Sequence, residues 1–302
     1  MAVMNWIIIA SDKYKQEAKK LEMFFTEREY TPSVYFVSDT TIESVEQFYI
    51  DLHKATHCVF ISDGTVPMNP HLFYATGFVN GSSLPVFVAG LNRGKEEKEL
   101  LPTYFFFENM EDLLSNIEVN LPKYLIEEEQ KKAHKKLFEM GIPFTPDCFS
   151  SYIARDKLDI CKLFYEAGMS VDVRDAAGTP MICIAARSGR KEIIEWLVEQ
   201  GAEINAISKD RGYSPVMDAV WKSSLDVVEL LIKLGADLNI VSNDGQTALI
   251  IATGASNPRI CELLVKNGAD PNFKDRMGMS SLEYAILFKK QILIPIYEEY
   301  AK

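Results

Sequence analysis

Histidine and cysteine are scarce in this 302-residue chain, four of the first and five of the second, and where they stand excludes most of the chemistry they carry. Cys58, Cys148, Cys161, Cys183 and Cys261 are odd in number, form no C-x-x-C pair and have no histidine at ligand spacing beside them. Neither a disulfide framework nor a structural zinc site follows, and no metal is expected. The sequence holds no G-x-x-x-x-G-K-[ST], no G-x-S-x-G and no H-E-x-x-H, so the common phosphate-binding, nucleophile and zinc-hydrolase signatures are all unmatched. His53, His57, His71 and His134 have no evident nucleophile or ligand partner. Nowhere does an uninterrupted apolar run approach the roughly 20 residues that cross a bilayer. No basic segment precedes Ile7-Ile8-Ile9, so a cytoplasmic protein without a membrane partner is expected. Basic residues are also short, 32 against 43 acidic, and the net charge of -11 repels phosphate backbones unless a local basic stripe overcomes it. The densest basic run, Lys131-Lys132 to Lys135-Lys136, follows Glu127-Glu128-Glu129. It reads as a solvated helix with opposite charges one turn apart, and no nucleic-acid partner is expected.

What is present is average for a globular chain, 47% hydrophobic and 25% charged, so both halves should fold. At about 150 residues per domain the length implies two domains, or a repeat array with a cap. The repeat is visible at once. Gly168, Gly201, Gly235 and Gly268 recur at intervals of 33, 34 and 33 residues, and Gly178, Gly212, Gly245 and Gly278 at 34, 33 and 33. Between them Ile193-Ile194, Val227-Val228 and Ile260-Cys261 share one register, followed by Leu197, Leu231 and Leu264 at the spacing of one helix face. Gly201 to Asn205, Gly235 to Asn239 and Gly268 to Asn272 close the units.

This pattern resembles the ankyrin repeat, with its period of about 33 and its T-P-L-H-x-A signature. Ser214-Pro215-Val216 and Thr247-Ala248-Leu249 fill the T-P-L positions, with Ala219 and Ala252 at the small-residue site. The resemblance covers about residues 141 to 302. It implies helical hairpins that must stack to bury their apolar faces, and protein recognition as their role. Cys183, Met217, Ile250 and Glu283 stand where the signature has His, so the loop bonds of that His must be made otherwise. Thr179-Pro180 sits one residue early, and the motif does not fix the helix start there. Gly141 to Gly168 looks like a shortened opening unit and Leu282 to Tyr300 a closing one. Register assigns Cys161, Cys261 and Trp196 to the core. Trp221, by contrast, aligns with Arg187 and Gly254, which the resemblance places on the inner concave surface. Beside Arg187, Arg190 and Lys222 it has the composition of a binding anchor, with packing against a neighbouring repeat as the alternative.

The first half alternates short apolar strands, Asn5 to Ala10, Ser33 to Val37, His57 to Ile61, Leu84 to Val88 and Tyr104 to Phe107, with helices. That implies a parallel sheet covered on both faces, in a flavodoxin-like order with ligands beyond the carboxyl ends of the strands. The polar turns there carry Ser11, Asp12, Asp39, Asp63, Gly64 and Asn92. They suit a nucleotide or sugar, although helix caps use the same residue types. Cys58 to Gly64, Asn69-Pro70, Tyr74 to Gly81 and Leu84 to Val88 resemble the nucleoside 2-deoxyribosyltransferase and TIR-like families, with Asp63, Tyr74, Gly77, Gly81 and Pro85 matching. Ala75 stands where those families carry the Glu that acts on the N-glycosidic bond, and a methyl group cannot stabilise charge on an anomeric carbon. Asp63 is the substitute carboxylate, with capping of its own turn as the bland alternative.

The expectation is thus an α/β domain over residues 1–128, a five-stranded parallel flavodoxin-like sheet, then an all-α ankyrin-repeat solenoid over 129–302 of about four to five repeats including caps. Between them Pro122 is expected to stop one helix and start the next, giving a stiff connector. The repeats bind a protein through Arg187, Arg190, Trp221 and Lys222. The α/β domain holds a nucleotide or nucleoside at Ser11, Asp12, Asp63, Gly64, Asn69, Tyr74 and Asn92 without cleaving it, and no cofactor is implied. The alternative is an N-glycoside hydrolase or transferase acting on NAD or nucleosides, with the repeats as a regulatory or targeting arm. A homodimer through the exposed aromatics Tyr104 to Phe107 is a third reading.

Overall fold

The computed structural model describes residues 4–38, 44–61, 70–82, 84–89 and 104–300. The chain divides into two compact units, Met1–Glu129 and Gln130–Lys302.

In the first unit β1 (Trp6–Ser11), β2 (Ser33–Val37), β3 (His57–Ile61), β4 (Val86–Ala89) and β5 (Tyr104–Phe107) form one parallel sheet in the order β2-β1-β3-β4-β5. Side chains alternate along a strand, so β1 sends Ile7 and Ile9 to one face and Trp6, Ile8 and Ala10 to the other. On the first face α2 (Val45–Lys54) supplies Phe48 and Leu52, and α3 (Pro70–Gly81) supplies Leu72, Ala75 and Val79. On the second, α1 (Lys15–Thr26) supplies Ala18, Leu21 and Phe25, and α4 (Met110–Glu139) supplies Leu113, Ile117 and Tyr124. Cover on both faces is why the strands read as continuous apolar runs. The strand order reverses between β1 and β3, which is where sheets of this kind place a ligand.

Pro122 does not divide the connector. One helix, α4, runs from Met110 to Glu139 with Pro122 inside it. A proline removes one intrahelical bond and crowds the preceding turn, but Ile117, Leu121, Tyr124 and Leu125 around it are packed into the core, and that burial holds the helix together. His57 is buried, its ring stacked on Trp6 at 4.5 Å, and has a packing role.

The second unit is five helical hairpins: α5 (Pro146–Ala154) with α6 (Leu158–Glu166), α7 (Met181–Ser188) with α8 (Lys191–Glu199), α9 (Pro215–Trp221) with α10 (Leu225–Lys233), α11 (Ala248–Ala255) with α12 (Pro258–Lys266), and α13 (Ser281–Leu287) with α14 (Leu293–Tyr300). The first helices of successive hairpins pack on one another, and one hydrophobic core runs from Ala133 to Tyr297. Four of the five first helices open on a side-chain cap: Thr145, Ser214, Thr247 and Ser280 each accept from the amide three residues on, Ser280 in a reciprocal capping box with Glu283. In the second hairpin the displaced motif leaves Pro180 at the cap position, with no side chain capping the helix. The thiol of Cys183, where the signature has His, donates to the Ala206 and Tyr213 carbonyls at 3.4 and 3.7 Å, tying its hairpin to the next loop. Cys161 and Cys261 are buried in the core, which pushes their thiols up to about 12 and about 11.

Neighbouring hairpins are also stapled at regular intervals. Asp172 accepts from the Glu203 amide, Asn205 from Asp237 and Asn239 from Asp270, so the Asp or Asn that ends each of these three closing segments binds the next unit's backbone.

A third periodic series lies in the turns within the hairpins. Asp156, Gly189, Ser223, Ser256 and Lys289 all have positive φ, and the four that are not glycine fall between 54° and 62°. The closing glycines, Gly168, Gly201, Gly235 and Gly268, lie at 88° to 96°, where a Cβ is far less tolerated. Of these two series only the closing one therefore had to be glycine. Ser223→Gly should accordingly raise stability by up to about 1 kcal/mol by relieving left-handed strain, read as a higher urea midpoint at unchanged slope.

Candidate functional site

The inner-helix surface of the second and third hairpins carries a charged cluster around one buried carboxylate. Asp218 lies one turn from the end of α9, where the other units place Phe149, Ile184, Ile251 and Tyr284, and it is fully buried. Two arginines hold it. Arg187, from the last turn of α7, donates Nε to Oδ1 at 3.0 Å and Nη2 to Oδ2 at 3.2 Å, and Arg211, from the loop before α9, donates Nη2 to Oδ1 at 3.1 Å. Burial pushes the Asp218 carboxyl up against the opposing pull of the two guanidiniums. The same burial works against the Arg187 charge, yet its hydrogen bonds and proximity to Asp218 hold its pKa above the ordinary value.

Above this cluster Trp221 ends α9 with 60% of its surface exposed. The Arg211 guanidinium lies 4.4 Å from the Tyr213 ring centre and 5.7 Å from that of Trp221, and the two rings meet edge-on at 6.4 Å. The aromatic patch is therefore braced by the ion-pair cluster beneath it. Lys222 follows, exposed, at the helix C-cap.

Of the residues expected to meet a partner, Arg187, Trp221 and Lys222 share this surface. Arg190 is committed elsewhere: its Nε and Nη2 donate to the Ala154 carbonyl at 3.1 and 2.9 Å, and Nη1 lies 3.7 Å from Asp156, so it ties the second hairpin to the first. Asp218, Arg211 and Tyr213 escape a reading by composition. The signal for Asp218 was a carboxylate in a register column that otherwise holds uncharged aliphatic and aromatic residues.

In the sheet unit Ser11 ends β1, and Asp12 opens a single 3-10 turn, paired with Lys15 at 2.9 Å. Tyr74, on α3, stands edge-on to Tyr49 at 4.9 Å with its hydroxyl 3.3 Å from His53 Nε2, in the contact between α2 and α3. Asp63, Gly64, Asn69 and Asn92 lie outside the described residues, as does Asp39. Ala75 is fully buried in the core on that face of the sheet. Among the described residues no group of His, Cys, Asp and Glu is placed to hold a metal ion, and no helix is long and apolar enough to cross a membrane.

A family model described as ankyrin repeats, three copies, matches residues 150–242 and again 234–297. Residues 150–297 are ankyrin repeats. The chain is also similar to an ankyrin repeat-containing protein of Treponema pallidum (strain Nichols), 29% identical over 242 residues that cover 80% of this chain and 81% of that one. That match is longer than the ankyrin unit, so it reaches into the sheet unit as well.

Proposed function

We propose that this is a two-domain recognition protein, in which the ankyrin array captures a partner protein on its inner-helix surface with Trp221 as the anchor. A large exposed aromatic on a preorganised charged base is the observation that carries the reading, because such residues dominate the energy of protein interfaces. Ankyrin repeats are protein-interaction modules, and the stack supplies a rigid frame on which only surface positions need to vary. The test is Trp221→Ala in the full chain. Its side chain is mostly in solvent, so the variant should unfold at the wild-type midpoint yet lose at least tenfold in affinity for a captured partner. Unchanged capture would remove Trp221 from the site.

For the sheet unit we propose a flavodoxin-like fold, on its 2-1-3-4-5 strand order, resembling the nucleoside deoxyribosyltransferase and TIR-like families. It would bind a nucleotide or nucleoside beyond the ends of β1 and β3 without cleaving it. The burial of Ala75 supports that reading: a carboxylate there would be enclosed in the apolar core on that face of the sheet. Release of free base from NAD or deoxynucleosides by the purified chain, abolished in Asp63→Asn, would overturn it.

A further inference from the structure

We propose that the partner segment taken by this inner-helix surface presents a carboxylate next to an apolar side chain, an acidic-apolar step in an extended stretch of a partner protein. The inference rests on the recognition role assigned to the same surface. Arg187 spends its Nε and Nη2 edge on Asp218, and Arg211 spends Nη2, with its Nε 3.6 Å from Asp210. The Nη1 group of each arginine has no acceptor among the described residues, although the two side chains are 34% and 32% exposed. A guanidinium pinned along one edge by a buried carboxylate keeps its remaining donors as a fixed fork, and forks of that geometry fit a carboxylate best.

The neighbouring surface specifies the rest. Trp221 offers an exposed apolar face beside those donors, so the residue following or preceding the acid should be apolar. Arg211 is already stacked on Tyr213, so binding orders few side chains and loses little affinity to entropy. Asp210 and Asp218 offset most of the charge of the two arginines, which leaves directed donors without a broad positive field. In a chain of net charge -11 that arrangement selects a single carboxylate over nucleic acid or a polyphosphate.

A random twelve-residue peptide library panned on the full chain tests this. Enriched peptides should carry Asp or Glu adjacent to Leu, Ile, Phe or Trp. Converting that acid to its amide should weaken binding roughly tenfold or more, and Lys222→Glu, a change at an exposed position that spares the fold, should weaken the acidic peptides severalfold. Peptides that depend on Trp221 but tolerate the amide would overturn the carboxylate and leave the recognition role standing. Peptides indifferent to Trp221→Ala, or no enrichment, would overturn both. A single-stranded oligonucleotide that displaced the peptides at equal concentration would assign the donors to phosphate and overturn the inference.

Discussion

Arg187→Ala is expected to destabilise the ankyrin unit by roughly 3–5 kcal/mol, nearer the lower figure because Arg211 still holds one oxygen of Asp218. Asp218→Ile should leave stability unchanged or raise it. The two substitutions act on the same ion pair, and the contrast follows from what each leaves behind. Without Arg187 a fully buried carboxylate keeps half of its partners. Without Asp218 the two arginines, each about a third exposed, turn to water, while isoleucine restores the apolar residue that Ile184 and Ile251 supply at that register. The Arg187→Ala deficit should also depend on pH. Burial already raises the Asp218 carboxyl, and losing a cation raises it further. Below that raised pKa the group is protonated and no buried charge remains, so the deficit shrinks at low pH and reaches full size as pH rises through it. Urea midpoints of both variants at acid and neutral pH decide the matter. An equal loss in the two variants, or a deficit that grows on acidification, would refute the account.

The same pair separates stability from recognition. Asp218→Ile frees the Arg187 guanidinium and removes one of the holds on Arg211 while Trp221 stays exposed, so capture should weaken in a protein that unfolds no earlier than wild type. A buried carboxylate held at the expense of an apolar core position is an arrangement that stability alone does not explain.

Much of the fold was legible because its causes are local and repeated. Glycines at a fixed period, hydroxyl caps before Pro or Ala and apolar pairs seven residues before each closing glycine have meaning without knowledge of distant contacts. The sheet unit was readable for a related reason, since strands covered on both faces show uninterrupted apolar runs. Pro122 misled because a proline's local preference was set against burial of Ile117, Leu121 and Tyr124, which no local rule reports. Arg190 misled likewise: its sequence neighbours suggest a surface charge, but its partner, the Ala154 carbonyl, is 36 residues away. Asp218 was hidden because its arginines come from two other segments, one 31 residues before it. Even so, its column in the repeat, aliphatic or aromatic and uncharged in every other unit, marked it as out of place.

Gly212→Ala and Gly278→Ala occupy the same register, and the first should cost about twice as much as the second. Both glycines have positive φ, 68° and 77°, so each alanine meets left-handed strain of about 1–2 kcal/mol. At Gly212 a Cβ would also lie 2.5 Å from the Asn243 backbone nitrogen and 2.6 Å from its Oδ1, because the next unit's loop rests directly on this turn. The Asn243 amide donates to the Arg211 carbonyl at 3.0 Å, so that loop cannot withdraw without losing a hydrogen bond. Such overpacking adds roughly 1–3 kcal/mol. Gly278 closes the last loop of the stack, and a Cβ there meets nothing within 4 Å. The position of the loss matters as much as its size. Stability in a stacked array is a sum over units and the interfaces between them, so weakening the interface after the third hairpin should let the last two hairpins open before the first three. Hydrogen exchange should accordingly show α11 to α14 losing protection ahead of α5 to α8 in Gly212→Ala, and a uniform change in Gly278→Ala. Equal costs in the two variants would mean that backbone conformation alone, and not contact between loops, keeps the second glycine series in place.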